Sequence, residues 1–113
     1  IDVACSSHPL MIGDNVQSEE EAVKNCLSRE WNLNINDRES IKERGTIVYK
    51  AKDSAGYIEH EYCTFYSVRI HSIPTPDLAF SYGYELVETS YFRKNLRQWN
   101  LAPWIQKGIP FLD

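Results

Sequence analysis

Residues 18–32 have few alternatives to a helix. Ser18-Glu19-Glu20-Glu21 is a capping box, in which the serine hydroxyl accepts from the Glu21 N–H and the Glu21 carboxylate reaches back to the cap. Ala22, Val23, Cys26, Leu27 and Trp31 then recur at helical spacing and make one apolar stripe, and three glutamates in the first turn suit the helix dipole. Asn32 is suited to a left-handed C-terminal position. A second element follows at a different period. Thr46-Ile47-Val48-Tyr49 is β-branched and aromatic, Lys52-Asp53-Ser54-Ala55-Gly56 has turn chemistry, and Tyr57 to Ile70 is a long β-rich run, so these residues read as a hairpin. Pro74 and Pro76 mark a loop, Tyr82 to Val87 reads as a further strand, and Glu88 to Trp99 reads as a helix with Tyr91, Phe92 and Leu96 on its apolar side. Pro103 suits the first turn of a short last helix. The opening Ile1-Asp2-Val3-Ala4-Cys5 reads like the middle of a strand, which suggests an N-terminally incomplete chain. The expected architecture is one α/β (α+β) domain over residues 1–113, a sandwich of mixed sheet and helices.

The formal net charge of −4, with no basic cluster longer than two residues, argues against a grip on nucleic acid or an anionic membrane. Hydrophobic residues at 42% and charged residues at 25% are ordinary for a globular domain and argue against disorder. No apolar run approaches the ~18 residues of a membrane helix, and the first residues lack the basic region and apolar stretch expected of a signal peptide. Cys5, Cys26 and Cys63 are odd in number and include no CxxC pair, which points to neither a disulfide framework nor a zinc knuckle. The expectation is a protein of a reducing compartment, the cytoplasm or an organelle such as the peroxisome, whose partners are small molecules or proteins.

Glu59-His60-Glu61 puts two carboxylates on one face of a strand, ~7 Å apart along it, where both can serve one hard cation or one proton-transfer site. A solvated strand face is the competing reading. Cys63 and Phe65 continue that face into apolar sequence, which favours the site. His8, between Ser7 and Pro9, is either a surface imidazole or a metal ligand presented by a proline-locked turn. Glu30 lies late in its helix, where a carboxylate opposes the dipole, so it either pairs with a basic neighbour or has a functional reason to be there. Cys5 reads as an acid–base thiol or as a small buried residue, and Trp104 as the wall of an apolar pocket or as core.

The order of these features is Cys5-Ser6-Ser7-His8-Pro9-Leu10, the capped helix with its late glutamate, Val48-Tyr49-Lys50-Ala51, Asp53-Ser54-Ala55-Gly56, Glu59-His60-Glu61 and Ala102-Pro103-Trp104. It resembles the type 1 isopentenyl-diphosphate isomerases, a family of Nudix fold, from about residue 3 to the C-terminus. The resemblance implies a Nudix-type sandwich of which this chain is the C-terminal two thirds. It also implies a 1,3-allylic proton shift that interconverts isopentenyl and dimethylallyl diphosphate in isoprenoid biosynthesis. Mg²⁺ would enter with the diphosphate, and a second divalent metal, Mn²⁺ or Zn²⁺, would be held by histidines and glutamates. By position, His8, Glu59 and Glu61 match ligands of that metal, Glu30 a ligand of Mg²⁺, Glu61 and Tyr49 the catalytic glutamate and tyrosine, and Trp104 the tryptophan over the isoprenoid. Ser6 stands where the family has its catalytic cysteine, Cys5 falls one place earlier, and Cys26 replaces an arginine that contacts the diphosphate. Trp31-Asn32 replaces a usual Leu-Gly. The family's first two metal histidines precede the matched region. These departures leave two alternatives to the isomerase: an inactive relative kept for a protein interaction, or a Nudix diphosphate hydrolase.

Overall fold

In the computed structural model, residues 2–112 are described, Arg38 by its backbone alone. The elements in chain order are β1 (Met11–Ile12), β2 (Asn15–Val16), α1 (Glu19–Trp31), β3 (Ile41–Lys52), β4 (Ile58–Val68), α2 (Thr89–Lys94) and α3 (Pro103–Gly108), with 3₁₀ turns at Arg38–Ser40, Leu96–Gln98 and Ile109–Phe111. β1 pairs with β2 and β3 with β4, so the class is α+β, as the sequence patterning implies. Among the described residues no helix is long and apolar enough to cross a membrane. The chain divides into two compact units. One holds Glu43–Ser67, Asp2 and the chain from Val87 on; the other holds Val3–Lys42 and Val68–Leu86.

In the α1 unit the capping box forms as expected: the Glu21 N–H donates to Ser18 Oγ at 3.2 Å and the Ser18 N–H donates to Glu21 Oε2 at 3.1 Å. At the other end Asn32 is left-handed, with φ of 52°, and the Leu33 N–H returns to the Leu27 carbonyl at 3.2 Å, the wrap that satisfies a helix's last acceptors. Ala22, Cys26, Leu27 and Trp31 are the buried residues of the helix, and the Trp31 ring meets Tyr84 edge-on at 5.4 Å. The short β1–β2 hairpin pairs Met11 with Val16 and Ile12 with Asn15 around Gly13, whose φ of 62° suits a two-residue turn. Two-residue strands carry no readable period, so sequence pattern alone did not mark them.

In the β3–β4 unit, Asp53 closes the hairpin turn: its N–H donates to the Tyr57 carbonyl at 2.9 Å and its Oδ1 accepts from the Tyr57 N–H at 2.8 Å. Side-chain period 2 is visible in β3, where Tyr49 is buried between exposed Val48 and Lys50. Tyr49 and Ile105 of α3 form the buried centre, the Phe65 and Phe111 rings lie 5.8 Å apart, and Phe92 packs on Trp99 at 5.7 Å. Pro103 occupies the first turn of α3, as expected.

Three sequence expectations are corrected. Residues 82–87 form no strand: Tyr82 is fully exposed, Tyr84 turns to Trp31, and among the described residues no strand pairs with the segment. Residues 2–5 form none either, since the Ala4 carbonyl accepts from Trp31 Nε1 at 2.7 Å and, two residues on, the Ser6 carbonyl accepts from the Cys26 thiol; Ile1 lies outside the described residues. The helix expected over 88–99 is broken at Asn95, whose side-chain amide donates to the Tyr91 carbonyl at 2.8 Å and whose N–H is shared between two carbonyls, so the chain continues as a 3₁₀ turn.

Candidate functional site

Tyr49 of β3 and the two glutamates of β4 meet. The period-2 spacing expected to align Glu59 with Glu61 does so: the Tyr49 hydroxyl donates to Glu61 Oε2 at 2.9 Å, and Glu59 Oε2 lies 3.4 Å from the Tyr49 hydroxyl oxygen. The Trp104 ring stands against the Tyr49 ring at 5.8 Å and 45°, and Trp104 Nε1 donates to Asp2 Oδ1 at 2.7 Å, which fixes the indole. Pro103 positions Trp104 at the start of α3.

The electrostatics of the cluster keep the phenol protonated. Burial pushes Tyr49 above its ordinary value of 10.0, and the Glu61 hydrogen bond and the charges of Glu61 and Glu59 push it further. Two carboxylates on one side would repel; the hydroxyl between them is a donor that relieves this. Cys63, further along β4, is likewise raised, first by burial and then by the Glu61 charge, so its thiol stays neutral. Glu61 is half-buried and Glu59 exposed, so one carboxylate sits at the depth of the phenol while the other faces water. The oxygens of Glu59 and Glu61 are hard donors suited to Mg²⁺ or Mn²⁺, and the Tyr49–Glu61 pair is a short path for a proton.

The remaining expected site residues belong to the other unit. His8 and Ser6 are exposed on the segment before β1, and Cys5 and Glu30 are half-buried. These residues reveal a cluster that sequence reasoning missed: Cys5 Sγ, Cys26 Sγ and a Glu30 carboxylate oxygen all lie within 4.8 Å of one another. Cys26 is wholly buried and donates to the Ser6 carbonyl at 3.4 Å, and Arg29 Nη2 reaches both Cys26 Sγ at 3.6 Å and Glu30 Oε1 at 2.7 Å. The bland reading of Glu30, a pair with a basic neighbour, therefore also holds. All three cysteines are free thiols. Burial is the first cause that raises both Cys5 and Cys26, which makes Cys5 a poor resting thiolate. Cys26 and Glu30 are four apart on a helix and so share a face, a signal present in the sequence. Cys5 lies far from Cys26 along the chain, and nothing in the spacing marks that approach.

The chain is 29% identical over 96 residues, 80% of its own length, to an isopentenyl-diphosphate Delta-isomerase of Agromyces mediolanus, of which the match covers 46%. It thus spans about half the length of the curated relative it matches. No family model matches the chain, and no solved structure does.

Proposed function

We propose that the chain belongs to an isopentenyl-diphosphate isomerase and carries the Glu–Tyr–Trp part of its proton-transfer site. The observation that carries this reading is the convergence of Tyr49, Glu59, Glu61 and Trp104, the residues to which the resemblance assigns the proton, the metal and the isoprenoid. The similarity to an enzyme of that name supports it independently.

The allylic shift adds a proton at one end of a three-carbon unit and removes one from the other, through a tertiary carbocation that water would trap. Glu61 is the group that moves a proton, because it is half-buried and held in place by the hydrogen bond from the Tyr49 hydroxyl. Tyr49, held neutral by burial, keeps that carboxylate oriented by donating a hydrogen bond to it. The Trp104 face stabilises the cation without offering a nucleophile. Metal-ligand roles for Glu59 and Glu61 on this unit, and for His8 and Glu30 on the other, belong to the same reading, as do Mg²⁺ with the diphosphate and Mn²⁺ or Zn²⁺ as the second ion. A divalent cation there offsets carboxylate repulsion and diphosphate charge. The acid–base partner is expected among Ser6 and Cys5, with Ser6 the weaker proton carrier.

The test is conversion of isopentenyl to dimethylallyl diphosphate with Mg²⁺ present. Glu61→Gln should lower the rate by ~10²–10⁴-fold, the usual contribution of a positioned acid–base group. Equal rates in the two proteins contradict the assignment. A second reading, an inactive relative that retains the pocket, is favoured by Ser6 and by Cys26, whose buried thiol is engaged with the Ser6 carbonyl in place of a diphosphate contact. Binding of dimethylallyl diphosphate without any turnover would select it.

A further inference from the structure

We infer that Cys5, Cys26 and Glu30 form a binding site for one thiophilic divalent cation of the Zn²⁺ type. Three ligand atoms of two chemistries, two sulfurs and a carboxylate oxygen, already lie within 4.8 Å of one another. A tetrahedral Zn²⁺ with bonds of ~2.3 Å to sulfur and ~2.0–2.2 Å to oxygen needs these atoms ~3.4–3.8 Å apart. Closing the triangle therefore shortens each separation by at most about 1.4 Å, shared between two side chains and within the reach of their rotation.

The three residues are held by independent means. Cys26 and Glu30 project from one face of α1, a 13-residue helix capped at both ends. Cys5 comes from an extended segment anchored beside it, where Trp31 Nε1 donates to the Ala4 carbonyl at 2.7 Å; the bond from the Cys26 thiol to the Ser6 carbonyl is given up with the thiol proton when the ion binds. The site is thus built before an ion arrives, which lowers the ordering cost of binding. Charge also closes. Binding releases the two thiol protons to solvent; two thiolates, one carboxylate and a divalent cation then sum to −1, and the guanidinium of Arg29, 3.6 Å from Cys26 Sγ and 2.7 Å from Glu30 Oε1, brings the total to zero. Arg29 also stacks on the Phe80 ring at 5.5 Å, a second anchor for its charge if the ion draws Glu30 away. Two sulfurs select Zn²⁺, Cd²⁺ or Co²⁺ over Mg²⁺. Three protein ligands leave a fourth position for water. The site differs in its ligands from the histidine–glutamate metal of the isomerase reading and stands without that reading; when filled, it occupies Glu30.

The experiment is a Co²⁺ titration of the reduced full chain followed by absorption, with Zn²⁺ displacement. The expected result is one equivalent bound with a thiolate-to-cobalt charge-transfer band and the intense visible bands of tetrahedral Co²⁺, all erased by Zn²⁺. Cys5→Ser and Glu30→Gln should each weaken binding by at least ~10-fold, and Cys63→Ser should leave it unchanged. Cys5 and Glu30 are only half-buried, so these variants keep the fold where Cys26→Ser, at a fully buried position, would put it at risk; retained far-ultraviolet dichroism checks this. In parallel, Zn²⁺ should protect Cys5, and not Cys63, from alkylation. Absence of a charge-transfer band, or cobalt binding indifferent to Cys5→Ser and Glu30→Gln, overturns the inference.

Discussion

Tyr49 is the residue on which the site turns, and its burial has a measurable consequence. The unfolded phenol titrates near 10, and the folded one above that. Between the two values the unfolded chain has released its proton and the folded chain has not, so rising pH favours unfolding. The stabilising contribution of the neutral Tyr49 is complete below about pH 10 and is lost as pH climbs above it. Urea midpoints measured at about pH 8 and about pH 10.5 should fall less in Tyr49→Phe than in the unaltered protein; an equal fall in both contradicts the burial argument. Ser6 supplies a second expectation. A hydroxyl is a far poorer acid–base group than a thiol near neutral pH, so Ser6→Cys should raise isomerase turnover by up to ~10²–10⁴-fold. If Cys5→Ala abolishes turnover while Ser6→Cys leaves it unchanged, Cys5 is the acid–base thiol and the register assigned to Ser6 is wrong. The alignment of Glu59 with Glu61 was readable from period 2 alone. Their meeting with Tyr49 was not, because cross-strand register is set by the turn at Asp53 and by packing.

At the scale of elements, α1 was legible from its first four residues because capping is local chemistry: the box at Ser18 and Glu21 and the left-handed Asn32 need no tertiary context. Ser18→Ala should cost about 1 kcal/mol of stability, read as a lower urea midpoint at unchanged slope, and no change would mean that the cap is dispensable. The hairpin was legible for the same reason. The segment 82–87 was misjudged because β-prone composition does not make a strand without a partner edge, and Tyr84 packs on Trp31 as a loop residue can. α3 carries a steric constraint that no pattern reveals: a Cβ at Gly108 would stand 2.5 Å from the Phe65 ring. Gly108→Ala should therefore destabilise by about 1–3 kcal/mol in thermal or urea unfolding. An unperturbed midpoint would show that the Phe65 ring can yield.

For the molecule as a whole, the similarity to an isopentenyl-diphosphate Delta-isomerase extends over 80% of the chain, and the acidic balance of −4 leaves small molecules and proteins as its expected partners. The two units carry different chemistry. One gathers oxygen donors and aromatic rings around a buried phenol, and the other gathers two thiols and a carboxylate. The first cluster was suggested only by the order in which its residues resemble the isomerase family, since each alone had a structural explanation. The central claim is that Glu61, oriented by Tyr49, transfers the proton of an allylic shift. Its most direct measurement is deuterium incorporation into isopentenyl diphosphate and its product, followed by NMR in D₂O with Mg²⁺, which detects even slow proton exchange. The account predicts incorporation at the allylic carbons by the unaltered chain, reduced ~10²-fold or more in Glu61→Gln and also reduced in Tyr49→Phe. No incorporation by the unaltered chain, or undiminished incorporation by Glu61→Gln, would contradict it.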